Sequence, residues 1–399
     1  MPRARRLLAL LIAIPTLVLA LWIVLPAPTY FFLTYSVGAV EISAWLAVAA
    51  IAALALAWPD ARVRGASRAA TIAFNCAVGA LVLALSPYVR FPFTERRFDR
   101  DVTRAFGGEV LSPAPERGPR SARAHPLIVS ELFTGIHHDS VSVTRGIRVA
   151  APAGVQLTAD IARPAAHGTF PIVVQIYGGA WQRGSPASNE DYAQWLASQG
   201  YVVIAVDYRH APAFHFPAQI DDIRTDLEWI RAHATEYGGD TSRVAFLGRS
   251  AGGHLATLAA YTASPITPRA VVSLYGGIDL VNGYRHPPFP DPLNIPDVTL
   301  KFVGGTPEQF PDRYRDGTIF TYVTRKLPPT LLIYGGRDNL VETKYPVELR
   351  NRLAATGTPV AYLEIPWANH GFDEVLNGPS DQLAMYYTER FLAWELRKE

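Results

Sequence analysis

Val244-Ala245-Phe246-Leu247-Gly248-Arg249-Ser250-Ala251-Gly252-Gly253 is a short apolar run that meets a Gly-x-Ser-x-Gly turn, and His254-Leu255-Ala256-Thr257-Leu258-Ala259 after it reads as a helix. A serine on so tight a turn between strand and helix adopts a strained backbone conformation that only small neighbours permit. The strain lifts its hydroxyl above the sheet edge, beside the N-terminus of the following helix. A chain with 30 glycines can produce the five-residue pattern by chance, in a plain loop. The strand before Ser250 and the helix after it give the pattern its weight as a candidate nucleophile.

Outward from this turn, strands and helices alternate. Residues 142–150 and 155–161 read as strands joined by a Pro-Ala-Gly turn. Residues 172–177 and 201–207 are strands separated by a helix over 189–199. A helix over 221–237 ends at Gly238-Gly239. Further strands cover 270–274, 330–334 and 361–365, with helices at 345–356 and 380–398. The alternation predicts an α/β fold: a mostly parallel central sheet, helices on both faces, and ligands at the strand carboxyl ends. Residues 281–326 are Pro-rich and aromatic and break the rhythm. They fit a substrate cap or lid, or a packed surface excursion.

A serine hydroxyl becomes a useful nucleophile only when a base takes its proton and a third group fixes the base's tautomer. In this architecture the partners follow in the order acid, then histidine. Asp338 stands just past the strand 330–334, and His370 just past the strand 361–365. Both fall on the sheet edge where Ser250 lies. Taken singly, Asp338 also fits a turn or helix cap and His370 a loop histidine. Asp279 is the rival acid. His254 fits packing below the site, while His210 and His215 lie in a loop bordering the pocket. His137-His138-Asp139 lacks a partner at ligand spacing and reads as a solvated loop. Donors for a developing oxyanion would be the backbone N–H groups of Ala251, Gly179 and Ala180, with Gly178 beside them. Trp181 and His215 are candidate pocket residues.

These segments resemble an α/β-hydrolase of the hormone-sensitive-lipase and microbial carboxylesterase group, over about residues 140–398. Tyr177-Gly178-Gly179-Ala180-Trp181 is similar to that group's His-Gly-Gly-Gly-Trp oxyanion segment. Asp207-Tyr208-Arg209-His210-Ala211-Pro212 resembles its Asp-Tyr-Arg-Leu-Ala-Pro, with Phe216-Pro217-Ala218 and Asp221-Asp222 following. The resemblance implies Ser250 as nucleophile, Asp338 as orienting acid and His370 as base. Two departures stand out: Tyr177 where the group has histidine, and Ala180 where it has a third glycine.

The front of the chain is of another kind. Residues 7–25, 38–58 and 69–89 are apolar runs of about 20 residues, each long enough to cross a hydrocarbon core about 30 Å thick. The first could be a signal peptide, but it lacks a clear small-x-small site and two more spans follow, so a three-helix anchor over 1–90 is expected. Glu41 falls near the start of its span and reads as a structural, interfacial residue. Residues 91–139, rich in Pro, Arg and Ala, read as a juxtamembrane linker before a catalytic domain at 140–399.

Residues 1–100 carry a net charge of +6 and residues 101–399 a net of −4, with no basic block interleaved with aromatics to suggest nucleic acid. The lone cysteine, Cys76, excludes an internal disulfide. Arg3, Arg5, Arg6, Arg62, Arg64 and Arg68 favour an inside N-terminus, which places the catalytic domain outside the cytoplasm. Arg90, Arg96, Arg97, Arg100 and Arg104 pull the other way.

The sequence therefore predicts a multi-pass membrane serine hydrolase acting on carboxylic esters, lipid or acylated surface molecules among them. No metal or organic cofactor is implied, and oligomeric state is not legible. Two alternatives share the fold. A prolyl-oligopeptidase-like serine peptidase would need a propeller-like repeat, which is missing before the catalytic region. A catalytically inactive binding protein resembles the gibberellin receptors, which lack the catalytic histidine that His370 supplies here.

Overall fold

The structure, a computed structural model, describes residues 3–61, 67–112 and 123–397. Arg62, Arg64 and positions 113–122 of the expected linker lie outside the described residues. Eight strands form one sheet: β1 (Val141–Ala150), β2 (Leu157–Pro164), β3 (Phe170–Ile176), β4 (Val202–Val206), β5 (Gly239–Arg249), β6 (Ala270–Leu274), β7 (Thr330–Gly335) and β8 (Val360–Ile365). Their order is β1-β2-β4-β3-β5-β6-β7-β8. β1 and β2 pair antiparallel, as do β2 and β4, and every later neighbour is parallel. The middle strands are continuous apolar runs because helices cover both faces: Ile172, Val173, Val174 and Ile176 of β3 are fully buried. From β3 the chain moves outward to β4, then returns to place β5 on the other side of β3. That reversal leaves a crevice at the carboxyl ends of β3 and β5, where ligands bind in open α/β sheets.

The N-terminal part is helical: α1 (Arg3–Leu21), α2 (Tyr30–Glu41), α3 (Ser43–Ala61) and α4 (Arg68–Phe106). The others are α5 (Glu131–Thr134), α6 (Glu190–Ser198), α7 (Ala218–His233), α8 (Ala251–Tyr261), α9 (Leu280–Arg285), α10 (Ile295–Val303), α11 (Pro311–Gly317), α12 (Lys344–Ala355) and α13 (Pro379–Arg397).

α1, α3 and the first half of α4 are long and apolar enough to cross a membrane. Their pattern is the reverse of a soluble bundle. Alanines line the contacts: Ala9 and Ala13 of α1, Ala50, Ala53 and Ala57 of α3, Ala73, Ala77 and Ala80 of α4. Leu11, Val18, Ile51, Val82 and Val89 face outward. Small residues let helix backbones approach closely where lipid, not water, surrounds the bundle.

Two features differ from the sequence expectation. The second span starts at Ser43, not residue 38, because residues 30–41 form the separate helix α2. Residues 91–106, expected as linker, continue α4 as helix. Phe91, Phe98, Val102 and Phe106 recur at helical spacing and are buried. Phe91 stacks on Trp367, Phe98 meets Tyr387 edge-on and Phe106 packs on Phe391. The Arg97 guanidinium donates to the carbonyl of Glu364 in β8.

α2 lies on the catalytic domain. Asn369 Nδ2 donates to Ser36 Oγ (3.1 Å), Asn339 Nδ2 to the carbonyl of Ala27 (3.2 Å), and the N–H of Ser380 to Glu41 Oε2 (3.0 Å). Leu33 and Val37 pack with Leu340. Burial pushes the Glu41 carboxyl up to about 8. The structural role expected for Glu41 takes this form: a seam between anchor and domain. The far end of the bundle is marked by the Arg6–Asp60 ion pair (2.7 Å) between the start of α1 and the end of α3.

Candidate active site

Ser250 joins β5 to α8 with φ 52° and ψ −120°. Its N–H donates to the carbonyl of Leu274 in β6 (2.9 Å), which fixes the turn against the sheet. The two flanking glycines are required by close approach. A Cβ on Gly248 would come within 2.1 Å of the Gly252 carbonyl oxygen, and one on Gly252 within 2.1 Å of that of Ile176. The Gly-x-Ser-x-Gly pattern is thus a packing requirement of the turn.

His370 and Asp338 converge on this serine from the loops after β8 and β7. His370 Nε2 lies 2.8 Å from Ser250 Oγ, and Nδ1 lies 2.9 Å from Asp338 Oδ2. The other carboxylate oxygen of Asp338 accepts from the N–H groups of Leu340 (2.8 Å) and Val341 (2.9 Å). A carboxylate only accepts, so the imidazole proton sits on Nδ1 and the Nε2 lone pair faces the serine hydroxyl. Both side chains are buried, so little water competes for these bonds. The structure therefore brings together the three residues singled out in the sequence.

Sequence reasoning missed what lies behind them. Arg249 pairs with Asp373 in the interior, and the Tyr275 hydroxyl donates to the same carboxylate. The Tyr275 ring packs 4.6 Å from that of His370. A charged residue between an apolar strand and the elbow was the available signal, since a buried arginine needs an acid.

Gly178, Gly179 and Ala180 border the cavity at Ser250, and Ala251 opens α8 beside them. Ala180 and Trp181 take positive φ values of 55° and 59°. Among the described residues, the N–H groups of Gly179 and Ala180 donate to no backbone carbonyl, as free donors aimed at a ligand would. Tyr177 anchors this loop. Its hydroxyl donates to Asp207 Oδ1 (2.6 Å), its ring stacks on Tyr208 at 4.5 Å, and His210 Nε2 is 2.9 Å from the hydroxyl. Burial raises the Asp207 carboxyl and lowers His210. The departure from histidine at 177 thus gains a hydrogen-bonded anchor of its own.

The cavity measures about 630 Å³, with Ser250 and His370 at its base. Trp181 and His215, expected as pocket residues, lie outside its lining. Trp181 is buried, stacks on Phe302 of α10 at 4.1 Å and donates to His254 Nδ1 (3.3 Å). His215 is exposed, with Nδ1 against the carbonyl of Lys301 (2.9 Å). Both are held by α10 because residues 281–326 pack down as helices, and only Leu293 of that segment reaches the cavity. Of the two readings given for that segment, a cap would have supplied a cavity wall; here α2 supplies one.

The rival residues are occupied elsewhere. His254 is buried below the site, donates from Nε2 to the carbonyl of Gly317 (2.7 Å), and is pushed down to about 4 by burial. Asp279 caps α9 through the N–H of Asn282 (3.0 Å). Among the described residues no cluster of His, Cys, Asp or Glu is placed to hold a metal ion.

Comparison with known proteins bears on the fold and on the class of reaction. Residues 159–353 match the BD-FAE family model. The chain is similar to esterase LipC of Mycobacterium tuberculosis, 36% identical over 219 residues, covering 51% of this chain and 53% of LipC. It is also similar to the probable carboxylic ester hydrolase LipM of that organism, 32% identical over 241 residues, 57% of this chain and 54% of LipM. The chain thus spans about half the length of the curated relatives it matches. Among solved structures, a bacterial heroin esterase superposes with a TM-score of 0.56 at 22% identity, over 78% of this chain and 93% of its own. The chain has the α/β-hydrolase fold, preceded by three long apolar helices.

Proposed function

We propose that this α/β-hydrolase is a membrane-anchored serine esterase that cleaves carboxylic esters through an acyl-enzyme on Ser250. The hydrogen-bonded chain Ser250–His370–Asp338 at the base of the cavity carries the reading. His370 Nε2 takes the hydroxyl proton as Oγ attacks the ester carbonyl. Negative charge then develops on the carbonyl oxygen, where the N–H groups of Gly179, Ala180 and Ala251 would meet it. As the alcohol leaves it receives the proton from Nε2, and water, activated by the same imidazole, releases the acid. Similarity to LipC and LipM supports ester over peptide substrates. The test is turnover of p-nitrophenyl esters by the full-length protein, beside a fluorophosphonate that labels activated serines. Ester hydrolysis with labelling at Ser250 is expected. Absence of both would remove the esterase reading in favour of a binding role.

The catalytic domain belongs on the extracytoplasmic side. α2 joins α1 to α3 and lies on the domain, so the domain and the α1–α3 connection share one side of the membrane. Arg5 and Arg6 start α1 and Arg68 starts α4, all at the opposite end, the side favoured for positive charge. The arginines at 90–104 count for less because they lie on the stretch of α4 docked on the domain. Protease added to intact cells should digest the domain; protection until lysis would reverse the orientation.

A further inference from the structure

Tyr30, Leu33, Thr34, Val37 and Gly38 form the side of the cavity opposite the elbow. They recur at i, i+3, i+4, i+7 and i+8, a single face of α2. Phe31 and Tyr35, on another face of the helix, are exposed. Trp45 at the start of α3 is also exposed and meets Phe133 of α5 edge-on. Exposed Trp45 and Phe133 are the kind of aromatic pair that gathers at a membrane–water interface.

The position of α2 sets the depth of the cavity. Gly38 borders the cavity and Ser43 begins the second span, five residues later. At 1.5 Å per helical residue that is about 7.5 Å. The polar layer on each side of the hydrocarbon core is roughly 5–7 Å thick. The α2 side of the cavity is therefore within about 7.5 Å of the start of that span, at or near headgroup depth, where the ester bonds of a bilayer lipid sit and from which their acyl chains descend. A volume of about 630 Å³ falls in the range that buries a drug-sized ligand. That is far more than an acetyl group fills. Leu33, Val37, Leu293, Leu340 and Val375 give it apolar walls.

We propose that α2 is the wall of an acyl-binding pocket and that the substrate is a long-chain acyl ester resident in the bilayer leaflet, entering from the membrane side. This rests on the esterase reading above. Ser250 Oγ bonds to the lipid acyl carbon and the carbonyl carbon–alkoxy oxygen bond breaks. The serine proton passes through His370 Nε2 to the departing alcohol oxygen. Water then splits the acyl-enzyme, and a fatty acid returns to the leaflet.

The experiment uses the full-length protein in phosphatidylcholine vesicles, with p-nitrophenyl palmitate and p-nitrophenyl acetate as probes. The quantity read is the ratio of kcat/KM for palmitate to that for acetate. A ratio above one is expected for the unaltered protein, falling at least tenfold in Val37→Trp. Because tryptophan at 37 can unseat α2, Thr34→Phe on the same face is measured beside it, with the same expectation. A ratio below one in the unaltered protein, or ratios unmoved in both variants while acetate is still cleaved, would overturn the pocket and leave the esterase reading intact. Failure of the unaltered protein to cleave either ester would remove the reading on which the pocket rests.

Discussion

Ser250→Ala is expected to lower kcat for a p-nitrophenyl ester by about a millionfold, with KM little changed. Loss of the nucleophile from a serine triad costs on that order because the three residues act as one unit. What survives is binding and the oxyanion donors, together about a thousandfold to ten-thousandfold over water. Here those donors sit on other segments, the 178–180 loop and the start of α8, so the mutation leaves them in place. Alanine also fits the turn, since it keeps only the Cβ that serine already places there. The variant should therefore fold and bind ester without turning it over. Steady-state kinetics with a thermal melt decide the matter, and a loss smaller than tenfold in a folded variant would sink the nucleophile assignment.

Much of the catalytic edge was legible in sequence because each part is set locally. An apolar run of five or six residues ends, a loop begins, and the residue at that junction points over the sheet edge. Ser250, Asp338 and His370 all sit at such junctions. α2 was not legible. Residues 38–41 run straight into the apolar span that follows, so composition merges them, and the break at Glu41-Ile42-Ser43 has no proline or glycine to announce it. What makes α2 a separate helix is distant: the N–H of Ser380, 339 residues away, donates to Glu41, and Asn369 holds Ser36. A buried carboxyl at the end of an apolar helix marks a polar seam, which a local reading can only register as an intruder. Trp181 and His215 show the converse error: they are near the site in sequence, but α10 draws both away from the cavity.

The same long-range packing changes how anchor and enzyme are joined. Residues 91–106 looked like a linker because Pro92 and the four arginines at 96, 97, 100 and 104 hide the stripe of Phe91, Phe98, Val102 and Phe106. Proline is tolerated within such helices where neighbours re-satisfy the freed backbone groups. The result is a rigid strut instead of a tether. Phe91 lies just beyond the span and stacks on Trp367, three residues before His370. α2 grips the other side of the His370 loop through Asn369. The loop that carries His370 is thus held from both sides by the N-terminal helices α2 and α4.

Asp338→Asn is expected to lower kcat by about ten-thousandfold at neutral pH while leaving KM and stability nearly unchanged. The size follows from the tautomer logic of a serine triad. The local geometry explains why the asparagine would settle in the harmful orientation. One oxygen of Asp338 accepts two backbone N–H groups, from Leu340 and Val341. An amide keeps those bonds only by placing its oxygen there, which turns its NH2 toward His370 Nδ1. Nδ1 must then accept, so the imidazole proton moves to Nε2 and faces the serine hydroxyl. A protonated Nε2 cannot take the hydroxyl proton, although every atom stands close to its former place. Asp279→Asn supplies the contrast. That carboxylate caps α9 and faces neither the serine nor the histidine, so its loss should change kcat less than threefold. The two variants are compared by kcat at one pH with melting temperatures alongside. If Asp279→Asn abolished turnover while Asp338→Asn retained a tenth of it, the acid of the triad would have been assigned to the wrong strand.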